Sequence, residues 1–430
     1  MATRTTLGVG IVGAGFIGRF HVRSWQGVRD GDVVATASRT RASAEALARE
    51  AEGLGVGTGV TAYDDVAALV RDPRVDAVWV LVPNHARLEV VRAICAEVTS
   101  GRAQLRGIAI EKPLGRTVAE AAEVLGLVTG AGLLHGYLEN QVFAPAITRS
   151  HALIWSRAVP GAGTPYLARA AEEHSGPHNT WFWNGEHEGG GVLSDMLCHS
   201  VEAGRYLLTP PGTDPATWLT PVSVSASVAS LKWGRARYAA ELLERYPGVN
   251  DYRRTPSEDY AHAVYEFRNG DGEPVVVEAT TSWSYVGAGL RLSFEMLGPE
   301  YSMSADTLDT GSKVFLSRRL MQDEGEDLVE KQNAEQGLMP IVPDESASYG
   351  YTAENTAFAT AFLRGEQPAE SLANGLEVVR LLMAAYASAE QGRTVSLEEG
   401  FEDFVPAVAR GAWNPRAAGP PAGPSGDARS

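Results

Sequence analysis

The sequence predicts an α/β domain with a doubly wound parallel sheet, followed by an α+β domain with a large, mainly antiparallel open sheet. Between residues 7 and 138, short apolar runs alternate with helical stretches, which indicates a parallel sheet with helices on both faces. After residue 144, longer runs rich in β-branched and aromatic residues follow one another with few helices between them. We therefore place the first domain at residues 1–143 and the second at residues 144–413.

The strands of the first domain are continuous apolar runs, as expected when both faces of a sheet are covered. The predicted strands are Leu7–Val12, Val33–Ala37, Val75–Val82, Leu105–Ile110 and Leu133–Leu138. The predicted helices between them are Phe16–Gln26, Ala42–Glu52, Leu88–Val98 and Thr117–Thr129.

The second domain begins with a predicted helix and continues mainly as strands. The predicted strands are Val222–Leu231, Tyr260–Phe267, Val275–Ser284, Leu290–Leu297 and Tyr301–Ala305, and the predicted helices are Ala146–Ala158, Ala353–Leu363 and Leu372–Glu390. Ser371 is the expected N-cap of the last helix, and Gly392 follows its end. The acidic segment Asp323–Gln336 predicts an exposed loop. Residues 414–430, rich in Pro, Gly and Ala, predict a disordered tail.

Composition excludes several classes of function. The chain has 430 residues and a formal net charge of −16, so phosphate backbones and anionic lipids are poor partners, and we expect neither nucleic acid nor membrane binding. No apolar run approaches the roughly 20 residues of a membrane span. With two cysteines, Cys95 and Cys198, and no apolar signal segment in Met1–Thr6, we expect a cytoplasmic protein.

A glycine-rich turn follows the first predicted strand. Gly13, Gly15 and Gly18 have the spacing of a dinucleotide-binding loop, with Phe16 and Ile17 opening the helix behind it. The first glycine permits the turn, the second lets the backbone approach a pyrophosphate, and the third lets helix pack on strand. A purely structural glycine turn is the alternative. The strand–turn–helix context favours a Rossmann domain that binds NADP or NAD.

The end of the second strand bears on which dinucleotide is bound. An acidic residue there usually binds the ribose 2′-hydroxyl of NAD, but this chain has Ser38 and Arg39. The Arg39 guanidinium could hold a 2′-phosphate, which favours NADP. Alternatively, Arg39 is a solvated side chain that stacks on adenine and suits either cofactor.

Glu111-Lys112-Pro113 follows another apolar strand, about 95 residues after the glycine turn. Open α/β sheets bind ligands at the carboxyl ends of their strands. We therefore expect Lys112 to lie beside the cofactor and to contact a substrate.

A second chemical motif is Gly189-Gly190-Gly191, which leads into a predicted helix carrying Asp195 and His199. These two residues are four apart and share one helical face. His199 can take the proton of a secondary hydroxyl as hydride leaves its carbon, and Asp195 could orient the imidazole or bind a substrate hydroxyl. Lys112, with its pKa lowered by burial, could steady the oxygen; which of Lys112 and His199 moves the proton stays open. The alternative is a helix-starting aspartate above a core histidine.

Together these motifs resemble the Gfo/Idh/MocA family, named for glucose–fructose oxidoreductase and inositol dehydrogenase. The resemblance covers roughly residues 7–400. It rests on the glycine loop, Pro83-Asn84-His85, Glu111-Lys112-Pro113, the glycine run before Asp195 and His199, and the late helix from Leu372.

The resemblance implies an NAD(P)-dependent oxidoreductase of a sugar, sugar derivative or cyclitol. It implies a catalytic group of Lys112, Asp195 and His199, and a cofactor site that includes Pro83, Asn84, His85, Glu111 and Lys112. It also implies a homodimer or homotetramer that packs through the open sheet of the second domain.

Further polar and aromatic residues are candidate contacts for a carbohydrate. Indoles beside amides and histidines suit sugar rings, which points to His174, His178, Trp181 and Trp183; packing between domains is the alternative for the tryptophans. Glu139 faces the pocket or caps the next helix, and Arg169 holds an acidic substituent or makes a surface ion pair. The histidine spacing fits no common metal site, so we expect no metal.

Two other functions fit the same motifs. One is a redox-neutral glycoside hydrolase that oxidises its sugar transiently with tightly bound NAD(H), for which Tyr137, Glu139 or His178 could be the further base. The other is a non-catalytic dinucleotide-binding sensor, which the presence of Lys112, Asp195 and His199 disfavours.

Overall fold

The structure is a computed structural model that describes residues 6–287, 289–309, 313–316, 337–340 and 344–414. The acidic segment 323–336 and residues 415–430 of the expected tail lie outside this range. Among the described residues, no helix combines the length and the apolar composition of a membrane span.

The first domain contains a six-stranded, fully parallel sheet with the order β3-β2-β1-β4-β5-β6. Its strands are β1 (Leu7–Val12), β2 (Gly31–Ala37), β3 (Thr61–Tyr63), β4 (Ala77–Val80), β5 (Gly107–Glu111) and β6 (Leu134–Leu138). Every residue of β1, β4 and β5 is buried, which explains their unbroken apolar character. The predicted Rossmann sheet is confirmed.

The helices of this domain are α1 (Phe16–Ser24), α2 (Arg41–Gly53), α3 (Val66–Val70), α4 (Asn84–Thr99) and α5 (Val118–Gly130). The prediction missed β3 and α3, because three and five residues are too few for a hydrophobic period to show.

The second domain is built on a seven-stranded sheet with the order β12-β11-β7-β10-β9-β8-β15. Its strands are β7 (Leu167–Glu173), β8 (Thr220–Ala229), β9 (Tyr260–Arg268), β10 (Pro274–Ser282), β11 (Arg291–Gly298), β12 (Tyr301–Asp306) and β15 (Val395–Ser396). The β7–β10 pair is parallel and the other pairs are antiparallel, so the predicted, mainly antiparallel sheet is confirmed. The remaining strands, β13 (Lys313–Leu316) and β14 (Gly337–Pro340), form a separate antiparallel pair.

The helices of the second part of the chain are α6 (Pro145–Arg157), α7 (Val159–Ala162), α8 (Gly185–Glu188), α9 (Val192–Leu207), α10 (Pro215–Trp218), α11 (Ala236–Arg245), α12 (Glu345–Ser348), α13 (Tyr351–Arg364) and α14 (Leu372–Gln391). α9 packs on β7 and β10, and α14 packs on β8, so both cover one face of the large sheet. Ser371 caps α14 and Gly392 ends it in a left-handed conformation, as predicted.

α13 packs on the first domain although it lies late in the chain. Phe358 and Phe362 share an apolar core with β1 and β4. A Cβ at Gly107 would lie 2.6 Å from the Phe362 ring, and one at Gly136 would lie 2.6 Å from the Phe358 ring. The glycines of β5 and β6 therefore make room for this helix, which covers the first sheet.

Candidate active site

The glycine loop between β1 and α1 leaves open space for a phosphate. Gly13 has a φ of +117°, and a Cβ there would lie 2.3 Å from the Leu81 carbonyl oxygen. A Cβ at Gly18 would lie 2.0 Å from the Gly13 oxygen, whereas one at Gly15 would meet nothing within 4 Å. No side chain caps α1 among the described residues, so the N–H groups that start at Phe16 are available to an anion. These features fit a bound dinucleotide.

The Pro83–His85 turn at the end of β4 is tied to two neighbouring loops. Asn84 Nδ2 donates to the Glu188 carbonyl oxygen at 3.0 Å. Arg87, which the sequence reasoning did not select, donates from Nη2 to Asn84 Oδ1 at 2.9 Å and from Nη1 to the Pro113 carbonyl oxygen. Arg87 is buried, so it positions the turn against the lysine loop and makes no contact with solvent.

Ser38 and Arg39 lie at the carboxyl end of β2, as expected from the sequence. Ser38 follows the strand directly, is half-buried, and donates its N–H to the Tyr63 carbonyl oxygen at 3.2 Å. Arg39 is exposed beside it. The guanidinium is therefore accessible to a ligand at this edge.

Lys112 lies directly after β5 and points at the second domain. Its Nζ donates to Asp195 Oδ1 at 3.1 Å and to the Asp195 carbonyl oxygen at 2.8 Å. Asp195 Oδ2 accepts from Trp283 Nε1 at 3.1 Å. Glu111 is buried and accepts the Lys112 N–H at 2.5 Å, which holds the backbone before the cis Lys112–Pro113 bond. The two domains thus meet at a pair formed by half-buried Lys112 and buried Asp195.

The expected direction of the Lys112 pKa was wrong. Burial alone lowers the pKa of this ammonium, but the negative charges around it, of which Asp195 has the largest effect, together outweigh burial and raise the pKa well above its ordinary value. Lys112 therefore stays positively charged near neutral pH, as a hydrogen-bond donor rather than a base.

His199 takes its partners from the first domain and from β7. Its Nδ1 lies 2.5 Å from Glu139 Oε1, and its Nε2 lies 3.8 Å from Glu172 Oε2. Burial alone lowers the pKa of His199, but the charges of Glu139 and Glu172 outweigh burial and raise it. Asp195 is held by Lys112 and Trp283, so the carboxylate that orients the imidazole is Glu139.

Glu139 fulfils both roles that were considered for it. Its Oε1 contacts His199 and also accepts the Gln141 N–H at 3.3 Å, so it faces the site and caps the turn Asn140–Phe143. Gln141 in turn donates from Nε2 to Glu172 Oε2 at 2.7 Å. Glu172 begins the aromatic segment, residues 172–184, which contains the candidate carbohydrate contacts His174, His178, Trp181 and Trp183. It was not selected, because nothing in sequence shows which strand lies behind α9.

The N-terminus of α9, which follows the glycine run, is held by two buried side chains. Glu258 Oε1 accepts the N–H groups of Gly191 at 2.9 Å and Leu193 at 3.1 Å. Tyr386 Oη donates to the same oxygen at 2.5 Å and accepts the Ser194 N–H at 3.2 Å. Glu258 and Tyr386 could not be selected from sequence, since they lie 64 and 192 positions from Ser194. They fix the helix that carries Asp195 and His199.

Two residues of the aromatic segment lie against the predicted cofactor site. The His178 ring is 5.7 Å from the Phe16 ring, and the Trp181 ring is 6.1 Å from the His85 ring. Phe16 and its neighbour Ile17 are half-buried in the first turn of α1. The segment that precedes α9 therefore approaches both motifs of the first domain.

Three of the predicted substrate contacts lie elsewhere. His174 is fully buried, with Nδ1 accepting the Gly176 N–H at 2.9 Å. Trp183 is buried in an aromatic core and donates to the Pro177 carbonyl oxygen, which is the packing role considered for it. Arg169 lies on the outer face of the large sheet, in ion pairs with Glu278 and Glu295, so its alternative as a surface ion pair holds.

Three potential metal ligands lie close together in the site. One atom each of Glu139, Cys198 and His199 falls within 4.8 Å of the others. Burial raises the pKa of the Cys198 thiol well above its ordinary value, which disfavours a thiolate ligand, and Nδ1 of His199 already contacts Glu139. The trio suits an acid–base group better than a metal site.

Comparison with known families covers most of the chain. Residues 7–137 match the NAD-binding Rossmann domain of an oxidoreductase family, and residues 168–397 match the C-terminal α/β domain of the same family. This chain belongs to the Gfo/Idh/MocA oxidoreductase family. The first domain is accordingly an NAD-binding Rossmann domain.

Relatives of known activity are distant. D-xylose dehydrogenase of Paenarthrobacter nicotinovorans is 22% identical over 227 residues, 51% of this chain and 51% of the relative. Levoglucosan dehydrogenase of Pseudarthrobacter phenanthrenivorans is 26% identical over 147 residues, 34% of this chain and 36% of the relative. The chain thus spans about half of the first relative and about a third of the second.

Solved structures of several other proteins share the fold along nearly the whole chain. GenD2 from gentamicin A biosynthesis, in complex with NAD, has a TM-score of 0.72 at 23% identity and covers 92% of this chain and 97% of its own. A levoglucosan dehydrogenase in complex with NADH and levoglucosan has a TM-score of 0.67 at 18% identity, covering 92% of this chain and 100% of its own.

Proposed function

We propose that the chain transfers hydride between a nicotinamide cofactor and a secondary hydroxyl or ketone of a sugar, sugar derivative or cyclitol. The observation that carries the proposal is the meeting of a charged donor, Lys112 with Asp195, and a carboxylate-oriented base, His199 with Glu139, beside a dinucleotide loop. The xylose and levoglucosan dehydrogenases among its relatives support a carbohydrate substrate.

The glycine loop and the Pro83–His85 turn would hold the dinucleotide. The free N–H groups of α1 face the open space at Gly15 and suit its pyrophosphate. When bound, the nicotinamide supplies the acceptor or donor of hydride. The chain itself has to bind the alcohol, polarise its oxygen and move its proton.

The hydrogen bonds divide these tasks between Lys112 and His199. Because Asp195 keeps Lys112 positively charged, Lys112 donates a hydrogen bond to the substrate oxygen and stabilises its developing negative charge. With Nδ1 of His199 donating to Glu139, Nε2 is left to accept the hydroxyl proton. In the reverse direction, the imidazolium returns this proton to the ketone oxygen.

Turnover with a panel of pentoses, hexoses and cyclitols tests the proposal. Reduced cofactor is followed at its absorbance band with NAD and with NADP, and binding of both cofactors is measured separately by fluorescence. Turnover of at least one polyol that Lys112→Met abolishes is the expected result. Cofactor binding without turnover of any polyol would refute the proposal.

We infer that NADP is preferred over NAD. Exposed Arg39 offers a guanidinium for the 2′-phosphate, and Ser38 leaves no carboxylate directly after β2. Asp64 is exposed and directly follows Tyr63, whose carbonyl oxygen accepts the Ser38 N–H, so we infer that its charge counts against a phosphate at this edge. Arg39→Ala should lower kcat/KM for NADP about tenfold and change NAD little, while Asp64→Asn should act in the opposite direction. An Arg39→Ala variant with an unchanged NADP-to-NAD ratio would contradict this inference.

A redox-neutral glycosidase is the second candidate, because His178 contacts Phe16 of the cofactor loop and could act as a further base there. The other two candidates suit this role less: Tyr137 is fully buried and Glu139 is bound to His199. Release of nitrophenol from nitrophenyl glycosides with only catalytic amounts of cofactor would favour the glycosidase. Stoichiometric cofactor reduction by free sugars would exclude it.

We propose a homodimer or homotetramer that packs through the outer face of the large sheet. This face carries the ion pairs of Arg169 with Glu278 and Glu295, which an isologous contact could reorganise across a twofold axis. Light scattering coupled to size exclusion should give two or four copies, and Arg169→Glu should reduce that number. We also retain a cytoplasmic location as a proposal, consistent with free, buried Cys95 and Cys198.

A further inference from the structure

An aromatic cavity lies beside the candidate active site. It encloses about 70 Å³ between the loop that contains Pro177 and His178 and the helix α11. Its lining includes buried Trp183 and half-buried Trp233 and Tyr246. Its remaining lining residues are Ser175, Gly176, Glu241, Leu242 and Arg245.

The loop that contains Gly176 and Pro177 packs closely against the Trp183 and Trp233 rings. Gly176 has a φ of +118°, and a Cβ there would lie 2.8 Å from the Trp183 ring and 3.3 Å from the Trp233 ring. Trp183 Nε1 and Tyr246 Oη both donate to the Pro177 carbonyl oxygen, at 3.1 and 3.2 Å. Trp183 and Tyr246 therefore hold the loop that forms this cavity wall.

Direct contacts join the cavity to the proposed catalytic group on one side. Trp183 and Trp283 have ring centroids 5.3 Å apart, and Trp233 Nε1 donates to the Trp283 carbonyl oxygen at 2.8 Å. Trp283 Nε1 donates to Asp195, the partner of Lys112. Two indole rings thus separate the cavity from the lysine–aspartate pair.

The cavity also adjoins the cofactor side of the site. His178, which lines it, contacts Phe16 at the start of α1. His178 therefore borders both the cavity and the start of α1, so a substrate that uses both places has to pass this side chain. The enclosed 70 Å³ is small beside the roughly 300 Å³ or more of a complete ligand site, which suits a subsite for one part of a larger substrate.

The lining matches the two surfaces of a sugar ring. Half-buried Trp233 and Tyr246 provide apolar faces for its C–H groups. Glu241 and Arg245 lie one turn apart on α11, both exposed at the mouth, as an acceptor and a donor. Ring hydroxyls both donate and accept, so a neutral polyhydroxylated ring can use both residues.

The geometry points to a second-ring subsite: the substrate is a glycoside whose reacting sugar lies at Lys112 and His199, while a second pyranose or cyclitol ring occupies the cavity of Trp233, Tyr246 and Glu241. This assignment rests on the proposed oxidoreductase function and specifies its substrate class. The lining residues on and beside α11 then serve to select linked rings over free monosaccharides.

The test compares matched substrates on the full-length protein with its cofactor. The kcat/KM values are measured for D-xylose against xylobiose and for D-glucose against cellobiose and maltose. At least one disaccharide should exceed its monosaccharide about tenfold, the discrimination that a small apolar pocket provides. Tyr246→Ala, which empties the wall, and Glu241→Trp, which fills the mouth, should each remove this advantage by raising KM for the disaccharide.

Glu244→Ala is the matched control, because Glu244 is exposed on the same helix and does not line the cavity. It should preserve the preference for linked rings. Turnover of monosaccharides that equals or exceeds that of every disaccharide, with no separation by the cavity variants, would overturn the subsite and leave the oxidoreductase proposal standing. Absence of turnover for every sugar, with cofactor bound, would reject both.

Discussion

Asp195 and His199 lie one helical turn apart on α9, and each forms a charged pair with a residue of the first domain. The two pairs differ in the strand that supplies the partner and in the effect of the partner on the pKa. Asp195 binds Lys112 from the end of β5, whereas His199 binds Glu139 from the end of β6. Their spacing on one face suggested that Asp195 orients His199. Instead, each residue is paired with a side chain that follows a different strand of the first domain. The carboxyl edge of the first sheet therefore determines the partners.

The two pairs also respond differently to pH. The carboxylate beside Lys112 keeps a cation charged over the whole neutral range, since the pKa rises from an already high ordinary value. The carboxylate beside His199 raises a pKa that begins near neutrality. One pair therefore supplies a fixed charge, and the other supplies a group whose protonation can change during turnover.

Replacement of Lys112 should have the largest effect, because it removes the fixed charge. Lys112→Met should lower kcat about 10²–10³-fold, the usual loss for one donor to a developing oxyanion. Steady-state kinetics in both directions measure this. Since Asp195 would be left buried without its cation, the double variant Lys112→Met/Asp195→Asn controls for folding and should remain as inactive; recovery of activity in it would contradict the assignment.

Neutralising Glu139 should change the pH profile. His199 must be neutral to accept a proton, so alcohol oxidation should rise with pH through its raised pKa. Glu139→Gln removes the main charge that raises this pKa, so the rising limb of kcat/KM should move to lower pH. Glu172→Gln should move it the same way by less, because Glu172 lies at 3.8 Å rather than 2.5 Å. An unmoved limb in both variants would exclude His199 as the titrating base.

Removal of the second hydrogen bond to Asp195 should have a moderate effect. Trp283→Phe keeps a ring but loses the Nε1 donor to Asp195 Oδ2. A hydrogen bond to a charged group contributes about 1.5–3 kcal/mol, so a loss of roughly tenfold or more in kcat is expected. Trp155→Phe is the matched control, since Trp155 donates only to the Leu207 carbonyl oxygen. Equal kinetics for the two variants would show that Trp283 does not position Asp195.

Glu354 is a buried carboxyl without a cationic partner among the described residues, in contrast to the two pairs on α9. Its replacement should affect stability alone. Neither oxygen of Glu354 has a hydrogen-bond partner among the described residues, and burial raises its pKa well above the ordinary value. The favourable contribution of Glu354 to the free energy of unfolding is present below the ordinary pKa of a glutamate. This contribution is lost as the pH rises toward the raised pKa of Glu354. Glu354→Gln should therefore raise the Tm by about 2–4 °C at pH 8.5 and by less at pH 5.5, with unchanged kcat. A larger gain at the lower pH would contradict this sign.

Sequence reasoning located the groups that follow strands and helices with clear patterns. Lys112, Asp195 and His199 were found because each stands next to a strand end or a glycine-led helix. Their partners Glu172, Glu258, Trp283 and Tyr386 were missed because long-range packing brings them together, and β7 was missed because Leu167–Glu173 is rich in alanine and charge. The sign of the Lys112 pKa shift was wrong for the same reason, since the nearby carboxylate is not visible in sequence.

The cover that α13 provides for the first sheet has a consequence for the order in which the protein is made. A ribosome completes β6 more than 200 residues before it reaches Phe358 and Phe362, and until then the surface at Gly107 and Gly136 has no aromatic cover. The nascent first domain therefore exposes this apolar surface while the second domain is synthesised. Separating the two halves of this gene at residue 143 would leave that apolar surface permanently open.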